Sequence, residues 1–214
     1  MPSTMTKLEV WNLAIDVIKD TALRTTDETA ATARWLERNW GHTTRSALRK
    51  YPWNFAKRYV SLPVETEAPP FGWTKAYKPP PGWLRVLPPR RGGSRYGKLI
   101  PHEIVGPLIY TNESAPLKVV LIMDKTDSPA EWDDLFVEIV RCQLALGMAN
   151  KFTGKNKFIE LASQMLATAQ TQAESIDTFE GSAEPIEQFD ILEARGGSSY
   201  GTGYYGRGTF SGEF

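Results

Sequence analysis

Few residues in this chain have the types and spacing to do chemistry together. The two histidines, His42 and His102, lie far apart in sequence, and no second histidine stands near either. That makes a histidine-cluster metal site improbable. The single cysteine, Cys142, falls in the apolar part of a predicted helix, where a thiol acts as a small buried hydrophobe. One cysteine also excludes an intrachain disulfide framework. Asp16, Asp20, Asp27 and Glu28 supply carboxylates, but not at metal-ligand spacing. Gly92-Gly93-Ser94-Arg95-Tyr96-Gly97 is glycine-rich. It lacks the strand-to-helix setting and the Lys-Ser/Thr pair of a phosphate-binding loop. No serine sits in a nucleophile elbow. Asp133 and Asp134 head a predicted helix, where the helix dipole accounts for them better than acid–base catalysis does. The sequence therefore assigns no catalytic, cofactor-binding or metal-binding residue, and the expectation is a protein that is not an enzyme.

The chemistry that remains is that of contact. Net charge is zero, yet residues 1–60 hold ten Lys/Arg against six Asp/Glu. Residues 61–125 hold nine against five, and residues 126–214 six against fourteen. A basic end and an acidic end fit ordinary solvated surface, or a subunit that packs side by side with its own copies or bridges two charged partners. Candidate positive positions are Arg34, Arg38, Arg45 and Arg49; candidate negative ones are Asp133, Asp134, Glu138 and Glu160. Arg90, Arg91, Arg95 and Lys98, among Gly92, Gly93 and Gly97, form a basic flexible loop that could meet an acidic partner or DNA. Of seven tryptophans, Trp73 and Trp83 lie in a proline-rich stretch and are candidate interface anchors.

The elements that must position these residues follow from the pattern. The chain has 214 residues, 41% hydrophobic and 23% charged, which is an ordinary globular profile. No run approaches the length of about 18 apolar residues that crosses a bilayer, and Met1–Met5 does not begin a signal peptide. Thr6-Lys7-Leu8-Glu9 is a capping box. It opens a helix with Leu8, Trp11, Ile15, Ile18 and Ala22 on one face, ending near Thr21. Thr25-Thr26-Asp27-Glu28 reads as a second capping box, opening a long basic helix that runs to Tyr51 and stops at Pro52.

Eleven of the 15 prolines lie between Pro63 and Pro116, which forbids long helices there. Strand-like runs are 59–62, 83–87, 104–105, 108–111 and 117–123, the last two flanking a candidate hairpin connection at 112–116. Ser128-Pro129-Ala130-Glu131 carries the signals of a helix start, with the helix reaching Asn150. A turn at 153–155 leads to a last helix with Phe158, Leu161, Met165, Leu166, Ala169, Ala173 and Ile176 in its stripe. Gly181 stands at its C-terminal cap position.

The expected fold is mainly α. It is a four-helix bundle-like core with a small antiparallel β-subdomain inserted between helices two and three. Its parts are an N-terminal helical hairpin (1–57), the β-rich insertion (58–124), a C-terminal helical hairpin completing the bundle (125–181) and a Gly/Tyr-rich tail (182–214). The end of the tail, residues 196–214, is too polar and glycine-rich to order alone. Its Tyr200, Tyr204, Tyr205, Phe210 and Phe214 are candidate anchors on a neighbouring protein.

Four blocks carry a resemblance. They are Leu8-Glu9-Val10-Trp11-Asn12-Leu13-Ala14; Leu48-Arg49-Lys50-Tyr51-Pro52-Trp53-Asn54-Phe55-Ala56-Lys57-Arg58; Trp73-Thr74-Lys75-Ala76-Tyr77 followed by Pro79-Pro80-Pro81-Gly82-Trp83-Leu84-Arg85-Val86; and Pro129-Ala130-Glu131-Trp132 leading to Phe136. From residue 6 to about 180 the chain resembles the tail tubular protein A family, the head-to-tail adaptors of tailed bacteriophages. The most specific block is the Leu-Arg-x-x-Pro-Trp-Asn-Phe-Ala run. Tyr77-Lys78-Pro79-Pro80-Pro81 departs from the family's Tyr-x-Leu-Pro segment, and residues 196–214 have no family counterpart.

The resemblance implies a structural virion protein without cofactor or metal. It would form a homo-oligomeric ring, usually of twelve copies, below the portal protein. The ring would join the capsid vertex to a tail nozzle or other tail protein and continue the DNA channel without sequence specificity or membrane contact. Its place would be the head–tail junction of the virion, after assembly in the host cytoplasm. The alternative is a nucleic-acid-binding module using the basic second helix, with Arg34, Arg38, Arg45, Arg49, Lys50, Lys57 and Arg58 on phosphates. A hydrolase has no supporting constellation.

Overall fold

The computed structural model describes residues 5–26, 29–67, 69, 72–94 and 97–180, all within a unit spanning Met1–Ser182. The tail and its five aromatic candidates, Arg95 of the basic loop, and the Gly181 cap position lie outside the described residues.

Helix α1 (Lys7–Ile18) begins at the expected capping box. The Glu9 amide donates to the Thr6 hydroxyl at 3.3 Å, and the Thr6 amide donates to the Glu9 carboxylate at 2.6 Å. The Thr6 hydroxyl also donates to that carboxylate, at 2.8 Å, and these two donors, the amide first, hold the Glu9 carboxyl below its ordinary pKa. The helix ends earlier than its apolar spacing predicts, because Lys19 turns left-handed (φ 56°) and caps the last turn. Asn12 then exchanges two hydrogen bonds with the Leu23 backbone, at 3.0 and 2.9 Å, which ties the following link back onto α1.

Helix α2 (Ala31–Lys50) starts after Ala30 with no side-chain cap, so Thr25–Glu28 does not open it. Its buried face, Ala33, Leu36, Trp40, Thr44, Ala47 and Leu48, follows the three-four spacing of an amphipathic helix.

Helix α3 (Asp134–Met148) also starts later than the sequence predicts. Pro129–Glu131 forms only a short 3-10 turn, and Asp133 is the N-cap, accepting from the Leu135 amide at 2.9 Å. Trp132 between them is directed inward, its indole N–H donating to the Lys125 carbonyl at 2.7 Å. With eight buried residues around its circumference, α3 is the central helix. A π turn (Ala149–Thr153) and Gly154 (φ 56°) lead to α4 (Asn156–Glu180). That helix buries the small residues Ala162, Ala169 and Ala173, while Leu161 of the predicted stripe is exposed.

Six strands lie between α2 and α3: β1 (Lys57–Leu62), β2 (Lys75–Tyr77), β3 (Trp83–Val86), β4 (His102–Val105), β5 (Leu108–Thr111) and β6 (Leu117–Met123). They form two antiparallel three-stranded sheets, ordered β1-β6-β3 and β2-β5-β4. Residues 112–116 are therefore not a hairpin turn but the crossing from one sheet to the other.

The expectation of a mainly α bundle is overturned. The structure is 49% helix and 19% strand, so it is a mixed fold with two sheets. The reason lies in β6, which is apolar along most of its length and covered on both sides, as a near-continuous hydrophobic run requires. Leu117, Val119 and Leu121 join Leu62, Tyr77, Val86, Ile100 and Ile109 in a core between the sheets. Ile122, on the opposite side, joins a helical core that also contains Trp11, Trp40, Phe136 and Ala162. The strands are thus a layer against the helices rather than a small appendage.

Candidate functional site

Three of the four blocks that carry the resemblance meet at one place. Trp40 of α2 stacks on Trp132 with ring centroids 5.3 Å apart, and Trp11 of α1 meets Trp40 edge-on at 6.3 Å. Phe136 lies edge-on to Trp132 (4.8 Å), Trp53 (5.1 Å) and Phe55 (5.2 Å). Pro52 ends α2 and a short turn (Asn54–Ala56) starts the strands, so Trp53 and Phe55 are delivered to this joint from outside the helices. The Trp53 indole donates to the Ala47 carbonyl at 3.2 Å. The Lys7 ammonium closes the rim, 5.0 Å and 5.7 Å from the Trp11 and Trp40 rings and 2.7 Å from Glu37. The joint is buried, so these motif residues build the fold and leave binding to the surface.

On that surface Arg34, Arg38, Arg45 and Arg49 are all exposed. At 100° per residue, their positions fall within an arc of about 60° on α2. They make one stripe about 22 Å long, from 15 steps at 1.5 Å each. Arg45 bends over Gly41 and reaches Asp124 at 3.7 Å, so part of its charge is engaged within the subunit. Among the acidic candidates, Glu138 pairs with Arg141 at 2.6 Å and Asp133 serves as a cap. Asp134 lies in the first turn of α3, and Glu160 is exposed on α4. No ion pair within the subunit joins the two candidate sets among the described residues.

The two described arms of the basic loop are joined by hydrogen bonds. Leu99 bridges Arg90, the Arg91 amide donates to the Lys98 carbonyl at 2.9 Å, and the Arg90 guanidinium donates to the Gly97 carbonyl at 3.3 Å. Arg91 pairs with Glu113 at 3.3 Å, while Lys98 is exposed. A Cβ at Gly97 would run into the Arg91 backbone, so the close approach of the loop's two arms requires glycine there.

Trp73 and Trp83 are both half-buried. The Trp73 indole donates to Glu103 at 2.8 Å, and Trp83 packs on the core between the sheets. Sequence reasoning did not single out the residues that the structure leaves most exposed among the large apolar ones: Tyr59 at 79% and Leu99 at 54%. The short apolar ends of strand runs at 59–62 and 104–105 were the available signal.

Groups for covalent or metal chemistry do not assemble among the described residues. No set of three or more His, Cys, Asp or Glu is placed to hold a metal ion. Burial pushes the Cys142 thiol up to about 11, away from the reactive thiolate. His42 is exposed, and His102 Nδ1 lies 2.9 Å from the Ile100 carbonyl. No described helix is long and apolar enough to cross a membrane. Compared with protein-family models and with curated proteins, the chain matches none.

Proposed function

We propose that this chain is a structural adaptor of the kind the tail tubular protein A resemblance implies. It is a non-enzymatic ring subunit that joins a portal to a tail component and continues a DNA channel. The observation that carries the reading is the aromatic joint. Trp11, Trp53, Phe55, Trp132 and Phe136 come from three resemblance blocks far apart in sequence, and they meet in one cluster around Trp40. A ring also needs heterologous contacts, in which two different patches of one subunit meet across each interface. The arginine stripe of α2 and the acidic residues of α3 and α4 offer unlike patches. The test is to mix the purified chain with a portal complex. A stoichiometric ring bound at one face supports the reading; no binding at any salt concentration removes it.

The second reading, a nucleic-acid-binding module, is favoured by one observation, the single-faced arginine stripe. Duplex DNA binding by the monomer would weaken with salt, with a log–log slope of about −0.9 per phosphate contacted. Replacing Arg34, Arg38 and Arg49 with Ser should then lower that slope. If the monomer binds no DNA at low salt, this reading is excluded.

A further inference from the structure

Each β-sheet ends in two strands whose outward N–H and C=O groups lack a ladder partner, and proteins cover, charge or shorten such edges. The two sheets here have four edges. β3 is covered by α2: Arg85 donates to the Arg49 and Lys50 carbonyls at the helix end, and Leu84 packs on the helical core. β2 is covered by the segment after β1. Val64 bridges Tyr77, and the Glu65 amide donates to the Ala76 carbonyl at 2.8 Å. Among the described residues no strand or bridge pairs with the outer side of β1 or of β4. These two edges also hold exposed apolar side chains: Tyr59 (79%) on β1, Ile104 (42%) and Val105 (45%) on β4, with Leu99 (54%) just before it.

We infer that β1 of one copy pairs with β4 of the next. The first sheet of one subunit and the second sheet of its neighbour then form one continuous six-stranded sheet. This deepens the ring reading and rests on it. Charge selects the second copy as the occupant. β1 carries Lys57 and Arg58, and β4 carries Glu103. β1 carries cations and no acid, and β4 carries an acid and no Lys or Arg, so self-pairing of either strand gains no opposite-charge pair, whereas the crossed pairing does. The crossed pairing, with the two strands parallel, sets Arg58 beside Glu103 and Tyr59 beside Ile104. It uses a different patch on each subunit, which is the heterologous contact that generates rings. The four residues of β4 span about 13 Å at 3.3 Å per residue, a short ladder that leaves side chains to set the register.

The experiment uses the full chain and sedimentation velocity at low salt. Arg58→Glu alone and Glu103→Arg alone should each weaken self-association about tenfold, equivalent to 1.4 kcal/mol. The double reversal should return it to within about threefold of the unchanged protein. Circular dichroism and melting temperature confirm that the variants are folded. In parallel, Tyr59→Cys and Ile104→Cys variants are mixed and oxidised. Cross-linked dimer should form in the mixture and not in either variant alone, since Cys142 is buried. An oligomer that is indifferent to both charge reversals and yields no mixed cross-link overturns the pairing and leaves the ring reading standing. Mixed cross-links within open filaments keep the pairing and overturn the ring. A protein that is monomeric at every concentration overturns both.

Discussion

The helical layer and the strand layer are held by different means. The helices close around large aromatic rings whose geometry fixes them, with Trp40 and Trp132 stacked and Phe136 edge-on to three neighbours. Their caps and links are satisfied locally, by Thr6, Asp133 and Asn12. The strands close around aliphatic side chains of β6, and two of the four sheet edges have no strand partner among the described residues. A scaffold needs one rigid arrangement, and interlocked aromatics supply it. A subunit that must join others needs backbone that is folded but unpaired, and short strand edges supply that. The difference assigns rigidity to one layer and association to the other.

The comparison breaks most readily at Phe136. Phe136→Ala removes a ring that touches Trp53, Phe55 and Trp132, and should cost about 3–5 kcal/mol. Urea unfolding gives the loss, and near-ultraviolet circular dichroism should show the tryptophan signal collapse. A loss below about 1 kcal/mol would mean that the aromatic joint is not the organiser of the helical layer. Next in size are Leu121→Ala and Ile122→Ala, adjacent residues that point into the two different cores. Each should cost about 2–5 kcal/mol. Both should lower one shared thermal transition, because β6 ties the layers together. Two separated transitions in calorimetry would show that the layers unfold independently.

Smaller effects sharpen the contrast. Thr6→Ala should cost about 1 kcal/mol by removing the capping hydroxyl. The hydrogen bonds from Thr6 hold Glu9 below its ordinary pKa. That contribution is present above the unfolded-state pKa and disappears as pH falls through the folded one. The deficit of Thr6→Ala, followed by thermal melts across pH, should therefore shrink at acidic pH; a deficit constant with pH would contradict this role. The smallest change has the opposite sign. The Thr44 hydroxyl is buried with no hydrogen-bond partner among the described residues, so Thr44→Val should raise stability by up to about 1 kcal/mol. A loss in a chemical melt would mean that the hydroxyl is satisfied in solution.

What was legible in the sequence was local. The Thr6 capping box, the stop at Pro52 and most of the apolar faces of the four helices are short-range signals that the structure contains, although Ala22 and Trp132 fall outside their helices and Leu161 is exposed. Ser128–Glu131 carried the same kind of signal and misled, because Trp132 is drawn inward and confines that stretch to a 3-10 turn before the helix begins at Asp134. Strand partnership was not legible. β5 and β6 are consecutive and both apolar, yet they belong to different sheets, and alternation within a strand does not name its partner. For the surface, composition indicated charge of both signs but not where it is engaged. Arg45 reaches Asp124, a partner far away in sequence that no spacing names, whereas Glu138 pairs with Arg141 at the i,i+3 spacing of one helix. The edges of β1 and β4, unpaired among the described residues, emerge only from the sheet order.

The account's central claim is that this chain closes into a ring through unlike patches. The most direct measurement is electron microscopy of the purified full chain, free and bound to a portal complex. The account predicts closed rings of uniform copy number with a central channel wide enough for duplex DNA, seated on one face of the portal. Particles that stay monomeric in both samples, or grow as open filaments without closure, would contradict it.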